Sequence, residues 1–344
     1  KPSSLEEFGI TTDLYTKTEI DEKFSSYDSN ITELNKDLES ANEEVSYEFD
    51  VTESGNVNGE WNYYQSTERA LPSGMLTYGN GVFLTASRGG GVFSSVDGKT
   101  WNRSINLSYT RAIGYANNKL YIICSNENGN DKTILFSSTG NFQDWNESID
   151  ISNSNLDKYI IDLIYGKGIY ILYSSNKNLF FYGESLSNSM TSISFSDLMP
   201  NSSYYKLWFI NELFILYSNK DGLFYSTDFI SGFSKCNANF NFVTSIAYGN
   251  GKFVTAHTNF TTYAYSTDGI NWIEGTLPRT ETESMICFGN NIFVILIDNG
   301  KYLYSMDGIN WTEDVATTNS IDCINLVYGN NIFLATNDYE PNPS

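Results

Sequence analysis

The feature that most constrains the fold of this chain is an internal repeat with a period near 40 residues. An aromatic residue, a Gly/Asn turn and an apolar segment recur in that order, with the aromatic residue at Tyr78, Tyr115, Tyr165, Phe209, Tyr248, Phe288 and Tyr328. The successive steps are 37, 50, 44, 39, 40 and 40 residues. A second signature, Ser-x-Asp-Gly-x-x-Trp, is clear at 95–101, 266–272 and 305–311, degenerate at Trp145 and 229–233, and barely recognisable around Phe195.

Repeats of this length that contain four short strands are typical of β-propellers. We interpret each unit as strand A ending at the aromatic residue, a Gly/Asn turn, strand B, a variable loop, strand C, an Asp-Gly turn, and strand D opened by Trp. Gly-Asn and Asp-Gly pairs suit tight hairpins because they tolerate positive φ. The recurring Tyr and Trp side chains are predicted to pack between blades, which is the commoner role for buried aromatic rings.

The two ends of the repeat region suggest how the ring closes. The unit that Tyr328 opens has room for strands A and B alone, while residues 45–51 alternate like a strand C and Trp61 resembles the opening of a strand D. Two strands from each end would complete one blade and leave no open sheet edge. The prediction is an all-β chain in which residues 45–344 form a propeller of about seven four-stranded blades. If the weak third and fourth units merge, the count is six.

Residues 20–44 are predicted to form a short coiled-coil helix. Their apolar residues follow an unbroken 4-3 spacing, the pattern of a heptad seam: Ile20, Phe24, Tyr27, Ile31, Leu34, Leu38, Ala41 and Val45. Thr16 and Glu19 form a capping box at its start. A helix this short needs a partner in water. The strict 3.5-residue period favours self-association over packing on its own domain, and the bulk of Phe24 and Tyr27 favours a homotrimer.

The first residues carry a resemblance to a known family. Residues 1–11 read Lys-Pro-Ser-Ser-Leu-Glu-Glu-Phe-Gly-Ile-Thr, and residues 13–21 read Asp-Leu-Tyr-Thr-Lys-Thr-Glu-Ile-Asp. This segment resembles one that recurs in bacteriophage tail fibres, with two departures: Ser4 replaces the usual Thr, and Thr12 is an extra residue. The resemblance covers about 23 residues, so that 1–19 become a tail-fibre-like linker.

The resemblance implies a homotrimer in a virion tail, assembled in the host cytoplasm and attached to baseplate or tail proteins. A phage-derived bacteriocin tail is the other context it implies. The chain begins at Lys1 without Met, and we expect that upstream sequence was removed.

Composition excludes several classes of function. The net charge is −21, with 41 acidic and 20 basic residues, so nucleic acids and anionic membranes would be repelled. No apolar run is long enough to insert into a membrane. The four cysteines, Cys124, Cys236, Cys287 and Cys323, show no pairing or metal-ligand spacing, and they are expected to be free thiols. Neither a metal nor a cofactor is predicted.

The repeated Ser-x-Asp-Gly-x-x-Trp turn resembles the Asp-box of sialidases and other sugar-binding propellers, although it is one residue shorter. Asp97, Asp268 and Asp307 are predicted to brace their own turns. A sialidase would need an arginine cluster, and no spacing identifies one among the arginines expected on one face: Arg69, Arg88, Arg111 and Arg279. His257 is the single histidine and has no nucleophile motif beside it, so no catalytic residue is assigned.

Ligand binding is predicted on the face that carries the variable B-to-C and D-to-A connections. The candidate residues mix aromatic rings with hydrogen-bonding groups, as saccharide sites do: Tyr63, Tyr64, Arg88, Tyr109, Asn126, Asp131, Tyr159, Tyr204, Tyr205, His257, Asn259, Phe260 and Asp298. If the stalk joins the propeller on this same face, these loops would instead contact other protomers. The receptor would then bind the opposite face or the outer rim.

The leading hypothesis is a non-enzymatic phage receptor-binding protein that recognises a bacterial surface polysaccharide during host adsorption. Two alternatives stay open at this point. One is a sialidase-like propeller enzyme that degrades a glycan. The other is a structural platform whose receptor site belongs to another chain.

Overall fold

The computed structural model describes most of the chain after residue 74 and two short strands before it. The described residues are 50–51, 57–58 and 75–337, with gaps in the last range at 87–90, 106, 108, 126–131, 138–144, 146, 151–159, 175–178, 187–189, 200–201, 203, 238–239, 241, 258–260, 279–284, 298–300 and 316–322. The predicted linker at 1–19 and coiled coil at 20–44 lie outside them.

The chain divides into two compact units, Lys1–Gly59 and Glu60–Ser344. The described part of the first unit is a minimal antiparallel pair, β1 (Asp50–Val51) and β2 (Val57–Asn58), in which Val51 pairs with Val57. Asp50 and Val51 lie in a strand, whereas residues 45–49 of the predicted strand C lie outside the described residues.

The second unit contains six four-stranded antiparallel sheets, each a simple meander with strand A at one edge and strand D at the other. In order A to D, their strands are β3 (Met75–Gly79), β4 (Val82–Ala86), β5 (Val92–Ser95) and β6 (Asn102–Ile105); β7 (Tyr109–Ala116), β8 (Lys119–Ser125), β9 (Lys132–Ser137) and β10 (Glu147–Asp150); β11 (Ile160–Gly166), β12 (Ile169–Ser174), β13 (Leu179–Gly183) and β14 (Thr191–Ser194); β15 (Tyr205–Ile210), β16 (Leu213–Ser218), β17 (Gly222–Ser226) and β18 (Ser234–Lys235); β19 (Val243–Gly249), β20 (Lys252–His257), β21 (Thr262–Ser266) and β22 (Ile273–Thr276); and β23 (Met285–Gly289), β24 (Ile292–Ile297), β25 (Lys301–Ser305) and β26 (Thr312–Val315).

A two-stranded sheet of β27 (Cys323–Gly329) and β28 (Ile332–Asn337) follows the six. The one helical turn in the described residues is a 3-10 turn at Phe229–Ser231. We call the six four-stranded sheets blades 1 to 6 in chain order, and the two-stranded sheet of β27 and β28 the final sheet.

The strands A form an inner ring. Each contacts the strand A of the next sheet, in the order β3, β7, β11, β15, β19, β23 and β27, and β27 in turn contacts β3. Sheets arranged radially around their first strands are the propeller architecture, so the predicted all-β propeller of four-stranded blades is confirmed. The weak third and fourth units form separate sheets, which rules out the merger considered above.

The core lies between consecutive sheets. One cluster, for example, joins Ile171 and Phe180 of blade 3 to Leu207 and Phe214 of blade 4. Middle strands are covered on both faces, so β24 is buried along its whole length, whereas three of the four residues of the outer strand β22 are exposed. This gradient explains why strands B read as continuous apolar runs, without the alternation of a half-exposed strand.

The A-to-B turns have the geometry that their sequences predict. Both central residues have positive φ in every one of these turns, for example Asn250 at 46° and Gly251 at 74°, or Asn330 at 45° and Asn331 at 60°. That is the type I′ pattern, which suits two-residue hairpins because its twist matches the strands.

At five of the seven junctions, the recurring aromatic residue packs on the glycine that ends the preceding strand A and so locks the two inner strands together. A Cβ atom at this glycine would overlap the ring in each of these pairs: Gly79 with Tyr115, Gly166 with Phe209, Gly249 with Phe288, Gly289 with Tyr328, and Gly329 with Tyr78. The last pair joins the final sheet to blade 1, so the same contact that links the sheets also closes the ring.

Turn asparagines add hydrogen bonds to the same junctions. Asn330 Nδ2 donates to Gly81 O at 2.8 Å and to Val96 O at 2.6 Å, and the Tyr78 hydroxyl donates to Asn330 Oδ1 at 2.6 Å. Asn250 Nδ2 repeats this arrangement between blades 5 and 6. The predicted inter-blade role of the aromatic residue is therefore confirmed, and the Asn beside it has an inter-blade role as well.

Candidate functional site

The meander places two kinds of connection on opposite ends of the ring. The A-to-B and C-to-D turns share one end, which we call the template face, because their sequences repeat. The B-to-C and D-to-A connections share the other end, which we call the variable face. Binding residues are more often found on variable loops carried by a rigid scaffold.

The aspartates of the template face accept hydrogen bonds from groups of their own turns. Asp307 Oδ1 accepts hydrogen bonds from the backbone N–H groups of Ile309 and Asn310, each at 2.8 Å, and from the Ser305 hydroxyl at 3.0 Å. Burial raises the pKa of Asp307, but these hydrogen bonds outweigh it and lower the pKa to about 2. Asp97 and Asp268 make the same bonds. The predicted structural role of the three aspartates is confirmed.

The tryptophan that ends each Asp turn belongs to the same structural unit. Trp272 Nε1 donates to Gly269 O at 3.0 Å, and Trp101 Nε1 donates to Gly98 O at 3.2 Å. Trp272 is 5 % exposed and lies in the core cluster between blades 4 and 5. It is therefore not available as a stacking platform for a sugar.

Most of the predicted ligand-binding residues lie outside the described part of the chain. These are Tyr63, Tyr64, Arg88, Asn126, Asp131, Tyr159, Asn259, Phe260 and Asp298. Tyr109 is the first residue of β7, so its predicted position in a loop is wrong. Tyr204, Tyr205 and His257 are the members of the set whose side chains are described.

The predicted loop positions of Tyr205 and His257 are wrong, because each belongs to a strand. Tyr205 opens β15 and is 2 % exposed, with its hydroxyl donating to Met199 O at 3.3 Å. His257 ends β20, is 4 % exposed, and places Nε2 2.8 Å from the Thr255 hydroxyl. Burial lowers the pKa of His257 to about 4, so the imidazole is neutral at pH 7.

The inner strands carry recurrent irregularities where they meet the variable face. A register shift marks a β-bulge near the start of β7, β11, β19 and β27, with Arg111, Ile161, Thr244 and Ile324 as the additional residues. Bulges commonly redirect side chains beside functional sites and at the rims of closed sheets. The bulges therefore mark the inner edge of the variable face as a candidate functional surface.

Five residues at this edge form what we call the inner rim: Ile161, Asp162, Tyr204, Lys206 and Phe242. They occupy the first residues of β11, β15 and β19, or the position just before the strand, in three consecutive blades. Ile161 is 36 % exposed, Tyr204 45 % and Phe242 54 %. Tyr204 is thus the predicted ligand residue that the structure places on an exposed surface.

Phe242 has an unusual backbone conformation. Its φ is 64°, whereas the other non-glycine residues with positive φ lie in the A-to-B turns. Its N–H donates to the Tyr217 hydroxyl at 2.5 Å, which ties blade 5 to blade 4. A bulky residue in the left-handed region is strained, and such strain concentrates at functional sites.

A carboxylate and an ammonium group lie behind the exposed rings. Lys206 Nζ donates to Thr244 O at 2.8 Å and lies 5.4 Å from the centroid of the Trp208 ring. Burial raises the pKa of Asp162, opposed by the charge of Lys206, and burial lowers the pKa of Lys206, opposed by Asp162. Each charge therefore opposes the effect of burial on the other group, but burial is the larger influence on both pKa values. Burial raises the pKa of Tyr204, and the charge of Asp162 raises it further.

The inner rim can bind a polar ring-shaped ligand, but it contains a single carboxylate. Glycoside hydrolysis ordinarily uses two. Within the described residues, no group of three or more His, Cys, Asp or Glu side chains could hold a metal ion, and no helix there is long and apolar enough to cross a membrane.

Sequence reasoning missed Asp162, Lys206 and Phe242, which are not among the predicted ligand-binding residues. Among the inner strands, charged side chains occur in β7, β11 and β15 alone, as Arg111, Asp162 and Lys206. A charged residue within an otherwise apolar strand was the signal that could have identified Asp162 and Lys206. The predicted coiled-coil positions, from Ile20 to Val45, lie in the part of the chain that is not described.

Comparisons with known proteins support the propeller fold but identify no family. No protein-family model matches the sequence, and no curated protein matches it. Among solved structures, a streptogramin B lyase superposes with a TM-score of 0.63 at 10 % identity, covering 80 % of this chain and 93 % of that chain.

Two further structures illustrate the range of similar propellers. YCF48 from Cyanidioschyzon merolae has a TM-score of 0.55 at 10 % identity, covering 78 % of this chain and 95 % of that chain. A GH74 enzyme from Niastella koreensis has a TM-score of 0.52 at 13 % identity, covering 72 % of this chain and 46 % of that chain. At these identities the likeness is one of fold alone.

Proposed function

We propose that this chain is the receptor-binding head of a phage tail fibre, or of a phage-derived bacteriocin tail, and that it binds a polysaccharide of the bacterial surface. The observation that carries the proposal is the order of segments along the sequence. A tail-fibre-like stretch at 1–19 precedes a heptad seam at 20–44, and the propeller follows. In this arrangement the first two segments attach and trimerise the chain, and the propeller recognises the receptor.

The propeller architecture supports a binding role. The ring is locked by aromatic-on-glycine contacts and by turn asparagines, so the variable face is carried on a rigid frame. Loops held by such a frame can differ widely without altering the fold. The groups that catalysis would most readily use are already committed, since Asp97, Asp268 and Asp307 brace turns and His257 is buried and neutral.

We also propose that the final sheet is completed by strands from the N-terminal region, giving seven four-stranded blades, and that residues 20–44 form a trimeric stalk. Light scattering of the whole chain should then give about three times its mass of 38.8 kDa. A chain that lacks residues 1–44 should give the monomer mass. A monomer in both preparations would remove the stalk from the proposal.

The function is tested by binding and by hydrolysis in parallel. The purified trimer should bind whole cells of a susceptible bacterium and the polysaccharide isolated from their surface, and it should compete with particle adsorption. The same polysaccharide, incubated with the protein, should release no reducing sugar. Release of reducing sugar would favour a glycan-degrading enzyme. Binding to neither cells nor polysaccharide would refute the receptor-binding role.

A further inference from the structure

We infer that the inner rim is the saccharide-binding site, and that its ligand is a neutral sugar unit stacked on Tyr204 and Phe242 and hydrogen-bonded to Asp162 and Lys206. This inference rests on the proposed function, which it extends by naming the residues and the class of sugar. It assigns the recognition surface to the mouth of the central channel rather than to the tips of the variable loops.

The rim residues are joined to one another across blades. Phe242 N–H donates to the hydroxyl of Tyr217 in blade 4, and Tyr204 immediately precedes the inner strand of that same blade. Lys206 Nζ donates a hydrogen bond to Thr244 O of blade 5. The charge of Lys206 also lowers the pKa of Asp162 in blade 3, against the larger effect of burial. Because β11 contacts β15 and β15 contacts β19, two exposed rings, one carboxylate and one ammonium group lie at the same end of three neighbouring inner strands, although the residues are distant in sequence.

Tyr204 and Phe242 present large aromatic surfaces to solvent, with exposed fractions of 45 % and 54 %. The inter-blade rings of Phe209 and Phe288 are less exposed, and that of Tyr115 reaches 40 %. The left-handed backbone of Phe242 is strained for a bulky residue, and such strain is concentrated at functional sites. A ligand that stacks on the ring would compensate for this strain.

The chemistry of the rim matches a neutral saccharide. Apolar faces of a sugar ring stack on aromatic side chains, and its hydroxyls act as both donors and acceptors. Asp162 accepts such bonds, and Lys206 donates them, so a hydroxyl pair can bridge the two charged groups. An anionic sugar would meet the Asp162 carboxylate at the rim and a chain with a net charge of −21, both of which oppose its binding.

The experiment is a binding measurement with the full-length chain on an array of purified bacterial polysaccharides, both neutral and acidic. Three variants are compared with the unaltered protein. Tyr204→Ala removes one exposed ring, and Phe242→Asn removes the other while keeping a residue that tolerates positive φ. Met306→Ala is the matched control, because Met306 is 46 % exposed but lies on the template face. Thermal denaturation of each variant establishes that it is folded.

The unaltered protein is expected to bind at least one neutral polysaccharide. Tyr204→Ala and Phe242→Asn should each weaken this binding by tenfold or more, while Met306→Ala leaves it unchanged. Undiminished binding by both rim variants would overturn the rim assignment and leave the receptor-binding role intact. Binding to acidic polysaccharides alone would overturn the neutral class. Failure of the unaltered protein to bind either the array or bacterial cells would refute the proposed function, and with it the rim.

Discussion

Closure of the ring can be tested by adding a single methyl group at Gly329. This glycine ends the inner strand of the final sheet, and a Cβ atom there would overlap the ring of Tyr78 in blade 1. Gly329→Ala must therefore push Tyr78 outward. The displaced ring would lose its two hydrogen bonds with Asn330 and its packing on Phe83, whose centroid lies 4.9 Å away.

The size of the effect follows from these losses. Overpacking costs about 1–3 kcal/mol, each lost hydrogen bond about 0.5–1.5 kcal/mol, and the aromatic pair about 0.5–1.5 kcal/mol. Because both hydrogen bonds are exposed, each counts at the low end of its range, and Gly329→Ala should lower the free energy of unfolding by about 3–5 kcal/mol. For a domain of this size each kcal/mol lowers Tm by about 2 °C, so the expected fall is about 6–10 °C.

Gly251→Ala is the matched control. Gly251 has a φ of 74°, and no atom lies within 4 Å of the position a Cβ would take. This substitution adds backbone strain of about 1 kcal/mol without a steric overlap. Scanning calorimetry of the two variants should show a much lower Tm for Gly329→Ala. Equal Tm values would mean that the final sheet does not pack on blade 1 in solution, and the closed ring would be wrong.

Two further predictions concern pH. Because the folded pKa of His257 is about 4, below its ordinary 6.5, the unfolded chain binds the proton first, and stability should fall between pH 6.5 and 4. His257→Gln should flatten this part of the Tm profile; an unchanged profile would contradict the burial of the only imidazole. Asp307→Ala should cost about 1–2 kcal/mol in urea unfolding at pH 7. Since the pKa of Asp307 is lowered to about 2, that cost should shrink below pH 4, and a constant difference would contradict the charged turn.

The repeat made the propeller predictable because its turns are set by local chemistry. Asn and Gly pairs adopt positive φ wherever they occur, so the A-to-B hairpins follow from short stretches of sequence. The Ser-x-Asp-Gly-x-x-Trp turn is equally local, since Asp307 bonds residues two and three positions later. These motifs predicted the boundaries of the blades even in the third and fourth units, where the internal repeat is weak.

Positions near the ends of strands were less predictable. Tyr205 and His257 were assigned to loops, because aromatic and polar residues beside Asn and Ser suggest a connection. In the structure each continues its strand by a residue or more, paired with a neighbour: Tyr205 opposite Ser218, and His257 opposite Val243. The extent of pairing depends on the partner strand, which a single segment of sequence does not reveal.

The inner rim shows why the candidate site was the hardest part to predict. Its residues come from three blades, and their proximity depends on register. In β11 and β19 an additional residue shifts that register, so a count back from the recurring aromatic residue fails for positions before the shift, such as Phe242. Asp162 lies after the shift and is therefore equivalent to Lys206, since both are three residues before the aromatic residue. The inner rim lies at the starts of β11, β15 and β19 alone, on one side of the ring. A repeat analysis that averages all blades therefore does not detect the differences in register among these three strands.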